Sequence, residues 1–299
     1  MRLAAALGLA VCSLAAGCGG SSSAQEEPEA QTLDALWRAP GEDVAVVPAT
    51  SDFGAGAVRY AFVVVDGQGR LVTRPTARIW VARGRESTPF ARTIARSEPI
   101  GVGEAEPGEP GEVFVARLHL KRPGTYWLLA EPVGGRPIQA IGTLVVKAEP
   151  AAPEAGEPAI PSRTPTLANA TLEELTTSNE PDRELYRTSV AQALEAEAPF
   201  VLVFATPKYC TSRTCGPVVD VVSAVRRRHA GSPIRFVHVE IYQDNDPTKG
   251  ENEWVREWKL PSEPWVFLVG SDGTVRERFE GTVSVRELDA AVARHFLKG

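Results

Sequence analysis

The side chains best suited to chemistry are two cysteines in Cys210-Thr211-Ser212-Arg213-Thr214-Cys215, placed directly after the apolar run Phe200-Val201-Leu202-Val203-Phe204. The chain has 4 cysteines, and the other two, Cys12 and Cys18, fall near the N-terminus. The apolar run reads as a buried strand and the residues after Cys215 read as a helix. Cysteines at such a turn meet the positive end of the helix dipole and its free N–H groups, which favour thiolate over thiol. The chemistry this suggests is thiol–disulfide exchange; an inert structural disulfide is the other use of the same pair. Geometry limits both. Residues five apart on a regular α-helix point roughly 140° away from each other. A disulfide needs Cβ atoms about 3.8 Å apart. Either residues 211–214 form a loop, or the first helical turn opens on oxidation.

The N-terminus places this chemistry in a compartment. Arg2 precedes an apolar stretch, residues 3–18, that is too short to span a bilayer core of about 30 Å. Leu14-Ala15-Ala16-Gly17-Cys18 resembles a bacterial lipobox, with Ala15 where Leu is usual. The resemblance implies a lipoprotein signal peptide over 1–17, a diacylated Cys18, and a chain tethered to the extracytoplasmic face of the cell membrane. Disulfides persist there. The formal charge is −6, and removing Arg2 makes it one more negative. An acidic chain argues against nucleic acid as a partner.

The pair then needs a frame. Residues 18–40 begin Gly19-Gly20-Ser21-Ser22-Ser23 and read as a flexible tether. Residues 148–170 carry Pro150, Pro153, Pro158, Pro161 and Pro165 among Ala and Glu, a linker composition that cannot fold alone. Between them, 41–147 is a series of short β signals: 43–47, 60–65, 77–82, 113–120, 125–130 and 143–146. Turn residues punctuate them, so an antiparallel sandwich is expected. Pro123-Gly124-Thr125-Tyr126 resembles the turn-into-strand signature of immunoglobulin-like sandwiches. No catalytic constellation stands out here, and no partner for this sandwich can be named. His119, among alternating apolar residues, reads as a surface or packing residue.

Residues 171–299 alternate helix and strand. Helices are expected over 182–196, 217–229, 254–258 and 284–297, and strands over 200–204 and 234–241, with a hairpin over 264–269 and 275–279. Arg226-Arg227-Arg228 puts cations at a helix C-terminus, where the dipole favours them. This order resembles the thioredoxin fold. Phe204-Ala205-Thr206-Pro207-Lys208-Tyr209-Cys210 is similar to that family's strand end and redox turn, with Tyr209 where tryptophan is usual. Gly216-Pro217 resembles the proline-kinked part of the following helix. Leu260-Pro261-Ser262-Glu263-Pro264-Trp265 resembles the loop bearing the family's cis-proline, which Pro264 matches. The chain departs from the pattern at three places. Four residues separate its cysteines instead of two, Val203 stands where many members have a buried acid, and Glu263 precedes the proline. A carboxylate there opposes a thiolate and raises its pKa.

The resemblance implies an α/β thioredoxin-like domain with Cys210 as attacking thiolate and Cys215 as resolving thiol. It implies a substrate groove lined by Pro207, Tyr209, Glu263 and Pro264, no cofactor, and protein thiols or disulfides of the cell envelope as partners. Three other readings use the same residues. One is a non-catalytic envelope interaction protein stapled by a structural disulfide. A second is a thiol peroxidase, since some atypical peroxiredoxins use the same cysteine spacing; Pro207 stands where they place Thr or Ser. The third is copper delivery of the Sco type, for which Ser262-Glu263-Pro264 lacks a histidine.

Overall fold

The computed structural model describes residues 31–38, 44–103, 111–132 and 140–297. The expected signal peptide, Cys18 and most of the tether lie outside the described residues.

Seven strands come first: β1 (Val44–Pro48), β2 (Gly56–Asp66), β3 (Thr76–Ala82), β4 (Ala91–Pro99), β5 (Glu112–Leu120), β6 (Gly124–Pro132) and β7 (Ala140–Val146). They form a closed barrel in the order β1-β2-β5-β4-β3-β6-β7. This corrects the expected immunoglobulin-like sandwich. In a sandwich two sheets face each other and keep their edges; here β1 pairs with β2 on one side and, in parallel, with β7 on the other at Ala45↔Ile141. Gly142 permits that approach, because a Cβ there would lie 2.9 Å from Val46 Cβ. Within Pro123-Gly124-Thr125-Tyr126, Tyr126 Oη donates to Arg122 O at 2.7 Å and ties the turn to β6. Inward residues such as Tyr60, Phe62, Phe114 and Leu128 fill the barrel. Outside it, the short helix α1 (Leu33–Trp37), at the end of the expected tether, buries Leu33 against Ala82 and Leu129.

The segment 150–165, expected as a linker, does not stand free. It lies along the next sheet through Gly156 N to Val275 O, Val275 N to Glu157 O and Ala159 N to Gly273 O. Ala152 and Ala159 enter the core beneath.

The α/β region carries α2 (Leu172–Leu175), α3 (Val190–Glu195), β8 (Phe200–Phe204), α4 (Cys215–Arg228), β9 (Arg235–Val239), α5 (Glu253–Glu257), β10 (Trp265–Val269), β11 (Val275–Glu280) and α6 (Val285–Val292). Its open sheet runs β11-β10-β8-β9, with β8 parallel to β9 and the other pairs antiparallel. The arrangement is loosely thioredoxin-like. β8 is buried on both faces. Val201 and Val203 meet Val218, Val222 and Leu288 of α4 and α6, while Phe200, Leu202 and Phe204 meet Trp258 and Phe267 on the other side. The helix expected over 182–196 is two pieces: a 3-10 turn at Arg183–Tyr186, then α3, which Ser189 caps in a reciprocal box with Gln192.

Candidate functional site

The two parallel strands β8 and β9 end side by side, at Phe204 and Val239. The segments leaving them therefore emerge at one edge of the sheet. β8 delivers the cysteine loop and β9 delivers Glu240. Residues 211–214 form a loop, and α4 begins at Cys215. That resolves the spacing problem: Arg213 N donates to Cys210 O at 3.2 Å, and Arg213 turns the chain with a left-handed φ of 58°. Cys210 and Cys215 are joined by a disulfide, with Cα atoms 5.8 Å apart. Pro217 is the third residue of α4, where no intrahelical N–H bond is lost, so it starts the helix instead of kinking it.

The two sulfurs have different surroundings. Cys210 is partly exposed and lies outside the helix; Cys215 is fully buried. Cys210 Sγ accepts the N–H of Cys215 at 3.2 Å and has Ser212 Oγ at 3.2 Å. Ser212 Oγ in turn sits 2.7 Å from Thr214 Oγ1. A thiolate at Cys210 would thus inherit an N-terminal helix amide and a hydroxyl, both of which stabilise negative charge.

Glu263 closes the site from the opposite side. Its peptide bond to Pro264 is cis, as the resemblance implied. One Glu263 carboxylate oxygen and the sulfurs of Cys210 and Cys215 all lie within 4.8 Å of one another. Oε2 of Glu263 is buried without a hydrogen-bond partner. Burial, and then the neighbouring Glu240 and Glu251, push the Glu263 carboxyl up to about 7. This trio is the cluster of ligand-type side chains found among the described residues, and joined sulfurs offer a cation no thiolate.

The other residues expected to line a groove adjoin these residues in the chain. Lys208 N donates to Thr177 Oγ1 at 3.1 Å, and Thr177 donates from N and Oγ1 to Glu240 Oε1 at 2.6 and 2.8 Å. Tyr209 meets Tyr242 edge-on, 6.5 Å between centroids, with Lys208 over its ring. Pro207 is half-buried and Pro264 buried. Thr177, Glu240, Tyr242 and Glu251 were not singled out from the sequence. The signal for Glu240 was its place at the end of a strand parallel to the one before the cysteines. His238 is committed elsewhere. Its Nε2 faces Ala205 O at 3.0 Å, so Nε2 carries the proton and Nδ1 accepts from Tyr186 Oη at 2.7 Å. Burial first of all lowers its pKa.

The site is also bolted to the barrel. Glu280, at the end of β11, accepts Ser262 Oγ at 2.9 Å from the proline loop. It also accepts Ser51 N and Asp52 N, each at 2.7 Å, from the loop after β1. On the other flank, Gly101 of the barrel lies against Pro217: a Cβ on it would come within 3.0 Å of Pro217 Cβ.

No family model, no curated protein and no solved structure matches this chain. By its own geometry the site is a redox-capable cysteine pair at the start of a helix in an α/β region.

Proposed function

We propose that this protein carries out thiol–disulfide exchange on other proteins of the cell envelope, as a lipid-anchored extracytoplasmic oxidoreductase. The observation that carries the reading is the asymmetry of the pair. Cys210 is within reach of a partner and held at the helix start, whereas Cys215 is fully buried behind it. Exchange proceeds through a mixed disulfide, begun at the accessible sulfur and resolved by the second thiol. Pro207, Tyr209, Glu263 and Pro264 would border the bound segment.

Two experiments test the reading. Cys215→Ser should trap covalent adducts with envelope proteins through Cys210, seen on non-reducing gels after acid quenching, and Cys210→Ser should trap few or none. Equal trapping by the two variants removes the assigned roles, and no trapping by either favours an inert bridge. The anchor rests on the sequence around Cys18. Cys18→Ala should move the protein from the membrane fraction to the soluble one with its melting temperature unchanged; continued membrane attachment would refute the anchor.

A further inference from the structure

We propose that Glu263 is the proton donor and acceptor for Cys215 during exchange. This rests on the exchange reading above and assigns the proton that exchange must move.

The two sulfurs differ in how well a negative charge on them is met. When the disulfide opens at Cys210, the bonding electron pair leaves on Cys215 Sγ. Cys215 is fully buried, and its own N–H is given to Cys210 Sγ. Among the described residues no hydrogen-bond donor reaches Cys215 Sγ. Cys215 belongs to an apolar core that includes the fully buried Val203. A thiolate left there is disfavoured by desolvation. Glu263 faces it with a carboxylate oxygen inside 4.8 Å. Oε2 of Glu263 is buried without a hydrogen-bond partner, so an ionised carboxylate there lacks the donors that would stabilise it.

The charged and titratable groups around Glu263 point the same way. Glu240 and Tyr242 follow β9, Glu251 precedes α5, and the cysteine loop brings Lys208 and Tyr209. Glu240 and Glu251 repel a negative charge on Glu263, and Tyr242 is itself pushed up by burial, then by Glu263 and Glu251. Lys208 lies over Tyr209 at 5.2 Å. The cluster thus favours a proton on Glu263 until a stronger base appears beside it.

In the oxidising direction a substrate thiolate attacks Cys210 Sγ, the Cys210–Cys215 bond breaks, and a mixed disulfide joins the substrate to Cys210. The Cys215 thiolate takes the Glu263 proton, leaving a thiol and a carboxylate. A second substrate thiolate then displaces Cys210 and leaves the substrate as a disulfide, two electrons poorer. In the reverse direction the Glu263 carboxylate removes the Cys215 proton. The new thiolate attacks Cys210 Sγ of the mixed disulfide and expels the substrate thiolate.

The test measures reduction of the disulfide by dithiothreitol from pH 6 to 8.5 in the full chain, with each rate divided by the dithiothreitol thiolate concentration. A required acid titrating near 7 makes the wild-type quotient fall about tenfold between pH 6 and 8. Glu263→Gln should abolish that fall and hold the quotient at or below the wild-type alkaline value. Glu263→Asp, which restores an acid, should bring a fall back. A flat wild-type profile, or the same fall in Glu263→Gln, overturns the proposal while leaving exchange and adduct trapping intact. If Glu263→Gln does not fold, the wild-type and Glu263→Asp profiles decide. A wild-type disulfide that resists excess dithiothreitol defeats this proposal and the exchange reading together.

Discussion

Glu263 also bears on stability, and linkage gives the sign. Its carboxyl titrates near 4.3 in an unfolded chain and is pushed up to about 7 in the fold, by burial first and by Glu240 and Glu251 next. Between those values the folded state binds more protons than the unfolded one, so stability falls as pH rises through that window. Above it the fold carries an ionised carboxylate that it disfavours. Glu263→Gln should therefore raise the melting temperature at pH 8 and leave it nearly unchanged at pH 4. The gain at pH 8 should be on the order of 1–2 kcal/mol, reduced from the full shift because the side chain is partly solvated. Thermal melts of both proteins at the two pH values check this, and an equal effect at both would show that the carboxyl is not the cause. Single residues are where the sequence is most informative. Cys210 and Cys215 announce themselves because cysteine is rare in this chain, and Pro264 because it stands directly before a strongly apolar strand. The acids around them do not. Glu240 and Glu251 stand at the two ends of the connection from β9 to α5 and Glu263 on the loop before β10, and the pairing of β8 with β9 and with β10 brings them to one place.

At the scale of elements, legibility tracks the range of the interactions. The helix α4 after the cysteine loop, the hairpin of β10 and β11, and the cap of α6 by Ser284 and Glu287 depend on neighbours a few residues away, and they are readable. The expected helix over 182–196 shows a local competition. Ser189 in mid-pattern prefers to cap, and its hydroxyl accepts Gln192 N at 3.1 Å, so the run breaks there. The strand β4 escapes notice because its arginines and serine carry little alternation, and its burial is correspondingly mixed. Closure of the barrel is not legible. Alternating inward and outward residues are common to sandwiches and barrels. The difference rests on one parallel contact, Ala45↔Ile141, between strands far apart in sequence, and on the bare backbone of Gly142 opposite Val46. Val46 shows the limit well. Its burial is expected in either architecture, but only the barrel places it against Gly142.

At the scale of the molecule, the barrel and the α/β region share a polar seam. Asp52 is at its centre. Burial alone would raise its carboxyl, but Lys147 Nζ at 2.7 Å, the N–H groups of Ala151 and Ala152, and Arg278 outweigh that and lower it. A second link is the buried pair of Arg59 and Glu287, 2.8 Å apart, joining β2 to α6. Glu280 is a third, holding the Ser51 and Asp52 amides and the Ser262 hydroxyl together. Removing one partner of such a buried network strands the others, at a cost of about 3–5 kcal/mol. The seam should therefore make residues 31–297 unfold as one unit, although the segment between the two parts has a linker's composition. The 6 tryptophans report on both sides: Trp37, Trp80 and Trp127 with the barrel, and Trp254, Trp258 and Trp265 with the α/β region. Urea unfolding followed by tryptophan fluorescence should give one transition in the wild type. Glu280→Ala frees two barrel amides and loosens Ser262, so it should lower the midpoint and separate the transition into two. The same variant should speed proteolysis within 150–165, where the strap along β11 is held partly by Arg278 bonding to Ala152 O at 2.8 Å. Two transitions in the wild type would mean that the seam does not couple the parts. A single, merely shifted transition in Glu280→Ala would place the coupling in Arg59–Glu287 and Asp52 instead.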